Sequence, residues 1–550
     1  MQKIYMTIIQ LGILFAGTAE AEAIPISDLL APLVAKTSSP YQQDIEEVYL
    51  QRKYEPFWVS PHQLNNEGQV IFQLLTHVDE QALDPDDYDR SELQWLQRSL
   101  DVLAKDRENF RANLLARFEI VLSKNLMKFL DHASGGRLSP ERVNGKWDLQ
   151  EKRRPLPQML TDAINDGISS SLESLTGDHE GLAPLLAKFN WYRRIESAGG
   201  WPIVSDGPLL SQGVKTARVK ALRLRLAASG DLSNNSETPL HFDEEVKESV
   251  KRFQRRHGMA VDGLVGTQTL QTLNVSIESR IKQLLLNVER GRWMPPTFGE
   301  TYVSVNIPDF KLVGYRDGEK KLTMPVIVGK PMNQTPIFND HIQYIVFNPF
   351  WNVPRSIAEQ EIYPKTQEDQ EYLQKKNFEI VDVEDQPVGI DQLTIENIQS
   401  YRVRIRQKPG PTNALGLVKF MFPNDHGIYL HDTPADHLFD ATQRDFSHGC
   451  IRVERPSDLA DFLFNGHISK EELIHRIGGA ERQEEKLPES VPVYILYQTA
   501  WVSQDGTLQF REDLYGHDQK LWDALHPILS DSVDTVQSNP PAQDQSRSES

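Results

Sequence analysis

The chain has 550 residues, 39% of them hydrophobic and 25% charged, enough to bury sizeable cores in three or four domains. Its formal net charge of -19 argues against nucleic acid as a partner, since phosphate binding needs basic patches. No HExxH, CxxC or His-rich tract occurs, so no metal site is indicated and no cofactor is expected.

Residues 1–23 carry Lys3, an apolar run from Ile4 to Ala16, and small-residue sites at Ala19-Glu20-Ala21 and Ala21-Glu22-Ala23, the layout of a secretory signal peptide. The apolar run falls short of the roughly 18 to 20 residues that span a bilayer, and no later stretch is apolar enough. An exported protein with no transmembrane segment after cleavage is expected, and an uncleaved anchor is the alternative. Over 24–205, segments such as "ENFRANLLARFEIVLSKNLMKFLDHA" place apolar residues at three- and four-residue intervals, which predicts a helical scaffold domain. No polar constellation in it reads as a site.

Within 210–276, Val246, Val250 and Phe253 line one helical face, Gly258 is placed as a C-cap, and Leu270 with Leu273 marks a second short helix. This is a small helical bundle whose ligand cannot be derived from its residues. Residues 277–300 read as a linker helix. From 301 the period shortens to two, with Val303, Val305 and Ile307 alternating with Tyr302, Ser304 and Asn306, and an all-β domain is predicted over 301–481. A polar, partly helical insertion at 357–407 interrupts it, placed as a lid, with a merely solvated excursion as the bland alternative. Residues 482–526 form a C-terminal extension and 527–550 a disordered tail. Aromatic, Pro-rich "RGRWMPP" (290–296) and "FNPFWNVP" (347–354) suggest a groove, but plain packing is the weightier reading of both.

The only cysteine lies in "RDFSHGCIRV", residues 444–453. A lone cysteine is ordinarily a small buried hydrophobe, yet exported proteins pair their cysteines, so an unpaired thiol there points to use. If "CIRV" is a strand, Ile451 and Val453 enter the core while Cys450 and Arg452 share the other face. Gly449 permits a positive φ and close backbone approach, so amides near Gly449 and Cys450 are candidates to face an oxyanion. A thiol needs a neighbour that takes its proton. His448 is adjacent but offset, whereas His431 ends the strand "GIYLH" nineteen residues earlier and can cross to a neighbouring strand; His431 is the preferred base.

The segment "IYLHDTPADHLFDATQRDFSHGCIRV" resembles the signature of the YkuD-type L,D-transpeptidases, with a histidine ahead of an [S/T]-x-G-C motif. The segments "TPIFNDHIQYIVFNPFWNVPRSIAEQEI", "GPTNALGLVKF" and "PVYILYQTAW" resemble the large Gram-negative YcbB-like branch, and "VKRFQRRHGMAVDGLVGTQTLQTLN" resembles the type 1 peptidoglycan-binding domain. The resemblance implies a multidomain α+β protein: helical scaffold, small helical peptidoglycan-binding module, and all-β catalytic domain with an inserted capping subdomain. It implies Cys450 as nucleophile, His431 as proton acceptor and donor, the Asp432 backbone carbonyl orienting His431, and Gly449 in the oxyanion loop. Arg452 stands where many relatives have Asn, and with His448, Ser447, Tyr429 and Trp351 it forms the candidate substrate-binding set.

The activity so implied is periplasmic. Cys450 attacks the carbonyl after the third stem residue of a peptidoglycan tetrapeptide donor, expels D-alanine, and passes the acyl group to a diaminopimelate amine, leaving a 3→3 cross-link. Peptidoglycan stem peptides are then the partners, penicillin-binding proteins are candidate partners, and carbapenems are expected to acylate the sulfur. A carboxypeptidase or hydrolase acting on stems or stem-linked proteins, and a non-catalytic wall-binding protein, remain the alternatives.

Overall fold

A computed structural model describes residues 24–526 apart from 105, 145–146, 148, 150–154, 169, 172–180 and 234–237. The signal peptide and the tail expected at 1–23 and 527–550 lie outside the described residues. Among these residues no helix is long and apolar enough to cross a membrane.

The N-terminal helices pack around Glu108–Gly135, a helix buried on nearly all sides through Leu115, Phe118, Leu122, Leu126 and Phe129. A helix buried on nearly all sides can only be central. Its one deeply buried charge, Glu119, is fully engaged: it accepts from the Tyr49 hydroxyl (2.7 Å) and from the Phe57 (2.6 Å) and Trp58 (2.9 Å) amides, stapling a distant loop to the helix. Burial pushes this carboxyl up to about 7, against the pull of those donors.

Two expectations need correction here. The helix Leu182–Ser197, placed in the scaffold, buries Leu185, Phe189 and Tyr192 in a separate core with the helix Ile277–Arg292 and a C-terminal hairpin. Residues 277–300, expected as a linker helix, do contain a helix, but its Ile277, Leu284 and Val288 are buried against the Leu182–Ser197 helix and the hairpin, so it packs as a strut rather than a free connector. The small module between them has its own core, including Leu222, Phe242, Val246, Val250, Phe253 and Leu273.

The β-rich domain is a closed barrel. Its strands are β1 (Tyr302–Asn306), β2 (Lys311–Arg316), β3 (Glu319–Ile327), β4 (Phe338–Phe347) and, after an insertion containing β5 (Trp351–Asn352), β6 (Phe378–Val381), β7 (Pro387–Val388) and β8 (Arg404–Gln407), β9 (Val418–Met421), β10 (Leu430–His431), β11 (Ile451–Val453) and β12 (Gln483–Leu496). The order is β1-β12-β4-β9-β10-β11-β3-β2. The barrel therefore does not end at 481: β12 pairs parallel with β1 and antiparallel with β4. Without it two edges would stand open, and closure is what removes sheet edges. Beyond it, β13 (Ala500–Val502) and β14 (Leu508–Phe510) form the hairpin that packs on the strut.

The insertion forms a four-stranded sheet, β5-β8-β6-β7, with short helices over a core of Val353, Ile362, Ile380 and Ile405. It starts at Trp351, earlier than the expected 357, because β5 pairs with β8. It sits as a cap beside the outward face of β4 and β9.

Candidate active site

Strand alternation builds the site from outside the barrel. Val418, Phe420, Leu430, Ile451 and Val453 point into the core with no exposed surface, so Lys419, His431, Cys450 and Arg452 face outward together. Register then sets the neighbours: His431 is paired with Arg452 on the parallel strand β11 and with Lys419 on the antiparallel strand β9. The Ile451 amide donates to the Tyr429 carbonyl (3.2 Å), which brings Tyr429 beside Cys450.

His431 is buried, and its Nδ1 lies 2.5 Å from the Asp432 carbonyl. A carbonyl only accepts, so Nδ1 carries the proton and Nε2 is left as an acceptor. Burial, then the charges of Arg452 and Lys419, depress its pKa to about 3, so the ring is neutral at ordinary pH. The Asp432 carboxylate is held in turn by the Leu417 and Thr433 amides, both at 2.7 Å. Gly416, at φ +61, closes against it: a Cβ there would come within 2.3 Å of the Asp432 carboxyl.

Cys450 is half-buried, its sulfur 3.9 Å from the Gly427 carbonyl. Burial raises the thiol above its ordinary value, while the Tyr429 amide and hydroxyl, Lys419 and Arg452 pull it back. The resting pair is a neutral thiol and a neutral imidazole. Among the described residues no hydrogen bond joins them directly.

The loop before Cys450 is tied into one shape. Ser447 Oγ donates to the Cys450 carbonyl (2.6 Å) and accepts from the Gly449 amide (3.1 Å), while Thr335 Oγ1 donates to the Gly449 carbonyl (2.7 Å). Gly449 has φ +120, a conformation side chains avoid. Its amide, a candidate oxyanion donor, is engaged by Ser447, which corrects that expectation; the Cys450 amide has no partner among the described residues.

The other sequence candidates divide. Tyr429 touches the site: its hydroxyl hydrogen-bonds the sulfur, and burial and that sulfur raise the phenol's pKa. Arg452 lies beside His431 with its Nε buried and unpartnered. His448 faces away, its Nε2 2.7 Å from Glu361 of the cap. Trp351, partly buried, packs against the cap core, its ring 6.0 Å from Phe378. In "RGRWMPP", Trp293 packs on Trp147. Lys419 and Thr335 were missed; only the alternation in "GLVKF" marks Lys419 as outward. Among the described residues no group of three or more His, Cys, Asp or Glu is arranged to hold a metal ion.

Three family models match in succession: a scaffold domain at 43–188, a putative peptidoglycan-binding domain at 215–273 and an L,D-transpeptidase catalytic domain, YkuD, at 300–468. A putative L,D-transpeptidase of Haemophilus influenzae is 34% identical over 277 residues, 48% of this chain and 55% of that protein. An N-acetylmuramoyl-L-alanine amidase of Bacillus licheniformis is 25% identical over 136 residues, 25% of this chain and 35% of that protein. The chain thus spans about half, or less, of the length of these curated relatives. A solved L,D-transpeptidase from Stackebrandtia nassauensis covers 54% of this chain and 96% of its own at 15% identity and a TM-score of 0.20, which carries no argument about function.

Proposed function

From a YkuD L,D-transpeptidase catalytic domain at residues 300–468, we propose that this protein is a cysteine-dependent L,D-transpeptidase that joins peptidoglycan stem peptides by 3→3 cross-links in the periplasm. One observation carries the reading: Cys450 and His431 share the outward face of neighbouring parallel strands, with the imidazole held by the Asp432 carbonyl so that Nε2 is free to take a proton.

As the Cys450 sulfur attacks the carbonyl of the third stem residue, its proton passes to His431 Nε2. The Cys450 amide faces the resulting oxyanion, an interaction worth roughly 3 to 4 kcal/mol per donor where measured. Collapse breaks the C–N bond, and D-alanine leaves with the proton from His431. The amine of a second stem then gives a proton to His431 and attacks the thioester, and the sulfur leaves and is reprotonated. Because sulfur and imidazole both rest neutral, His431 acts as a general base rather than one half of a standing ion pair. Water at the second step makes a carboxypeptidase instead, and the cap, bridged to the nucleophile loop through Glu361 and His448, is placed to exclude it. The module within 210–276 holds the protein on the wall, and carbapenems acylate the same sulfur.

The test incubates the protein with disaccharide-tetrapeptide and follows D-alanine and cross-linked dimer. Dimer formation that is lost in Cys450→Ala is expected. Free tripeptide without dimer would replace the transferase reading by the hydrolase one, and turnover surviving in Cys450→Ala would end both.

A further inference from the structure

Two cations flank the sulfur, and among the described residues no carboxylate acts on either. Lys419 and Arg452 sit on the rungs either side of His431, both half-buried, and among the described residues Cys450 is the only group able to become negative that bears on them. The chain has 78 acidic and 59 basic residues, so carboxylates are not scarce. Burying cations unpaired is unfavourable, and a site that keeps two of them is complete only with an anion bound. The thiolate is one such anion, but burial keeps it a minor form of Cys450 at rest. A second anion is called for.

The two cations are not equivalent. Arg452 is turned to the sulfur side, its Nε sealed from solvent. Lys419 places its Nζ 3.8 Å from the centre of the Tyr429 ring, and its side chain also lines a cleft of about 320 Å³ between barrel and cap. The other cations of that cleft are occupied: Arg404 by Asp385, Arg406 by Glu379 and Arg482 by Glu484. Lys419 is therefore the cation there with no carboxylate partner among the described residues, and it borders both the cleft and the nucleophile.

We propose that this cleft is a carboxylate subsite with Lys419 as its receptor, and that it takes the C-terminal carboxylate of the donor stem while the scissile carbonyl lies at Cys450. The inference rests on the transpeptidase reading and adds the group that selects the donor. Standard bond lengths put a C-terminal carboxylate about 3 to 4 Å from the carbonyl carbon of the preceding residue, so its receptor has to stand a strand or two from the nucleophile. Lys419, on β9, stands two strands from Cys450, next to β11. A donor whose terminus is amidated, or extended by a fifth residue, offers no anion at that distance. A carboxylate bound here also offsets one of the two charges that weaken His431 as a base.

The experiment compares a disaccharide-tetrapeptide ending in a free acid with the same compound ending in a carboxamide, following release of D-alanine or its amide by the full-length protein. Wild type is expected to favour the acid on the order of 10- to 100-fold in kcat/KM, mostly through KM, the size of a hydrogen bond to a charged group. In Lys419→Gln the ratio of acid to amide turnover should fall to about one, apart from any loss common to both donors, and Lys419→Arg should recover part of the preference. A wild type indifferent to the terminus, or a Lys419→Gln variant that loses both donors equally, overturns the proposal. If wild type forms no Cys450 thioester with either donor by intact mass, the transpeptidase reading itself fails, an outcome separate from those above.

Discussion

The scaffold and the barrel each hold charge away from water, and they treat it in opposite ways. In the scaffold, the Glu119 carboxylate receives three donors from Tyr49, Phe57 and Trp58, and the network knits a loop to the central helix. On the barrel, among the described residues, Arg452 leaves its Nε buried with no partner and Lys419 has no carboxylate. A buried acceptor whose donors are all met holds its neighbours in place, whereas a buried cation left unpaired destabilises the fold and persists where a ligand completes it. The two regions should therefore respond to mutation in different measurements, stability for one and chemistry for the other.

The largest effect tests the chemical side. Cys450→Ala should lower D-alanine release on the order of 10³-fold or more while leaving the thermal midpoint almost unmoved, as expected of a half-buried nucleophile. Next, Glu119→Leu strands the Phe57 and Trp58 amides in the interior, and each orphaned donor costs about 1 to 3 kcal/mol. Denaturant unfolding should show a loss of that order, with acylation per folded molecule unchanged; a fall in acylation would erase the contrast between the regions.

Arg452→Met sharpens the same contrast from the other side. It removes an unpaired, largely buried cation, so stability should hold or rise by up to about 1 kcal/mol, while acylation by a tetrapeptide donor falls about tenfold. A loss of stability instead would make Arg452 a structural group like Glu119.

The pH dependence of thiol alkylation probes the sulfur alone. The folded thiol lies above its ordinary value of 9.0, so its neutral form is the favoured one and the thiolate is scarce at neutral pH. Iodoacetamide rates should keep climbing past pH 9, and a plateau near pH 6 to 7 would instead reveal a standing thiolate–imidazolium pair. Glu119 follows the same sign rule in stability: its carboxyl, raised to about 7, favours folding while both states are protonated, and that contribution fades as pH rises from about 4.5 to 7. Urea titrations of wild type and Glu119→Leu should differ in slope over that window.

The smallest effect concerns the cap. The contact of His448 with Glu361 is about 40% exposed on both sides, so His448→Ala should cost no more than roughly 1 kcal/mol. Its expected signature is a modest rise in tripeptide relative to dimer. An unchanged product ratio would remove that bridge from the account of water exclusion.

Much of the fold was legible because it follows from local periods. The 3.6-residue repeat marks the helix Glu108–Gly135, and the alternation around Leu430 and Ile451 says which side chains leave the barrel. Boundaries were harder. A helix was legible at 277–300, but not that it would pack as a strut between two cores, since strut and connector differ only in what lies against them, and the strand pairing that seats Trp351 in the cap has no local signal. Lys419 gave no signal as a polar residue among apolar ones, since any solvated strand face looks the same.

From the chain alone come the single thiol, the histidine able to serve it, and the outward side on which both stand, since side-chain parity along a strand is a property of consecutive residues. The three-dimensional fold alone decides that β12 closes the barrel from beyond 481, that Thr335 takes the Gly449 carbonyl, and that Lys419 arrives on the rung beside His431. Each of these depends on register between segments far apart in sequence, which is set by the total burial that one pairing achieves over its rivals and not by any short stretch of residues.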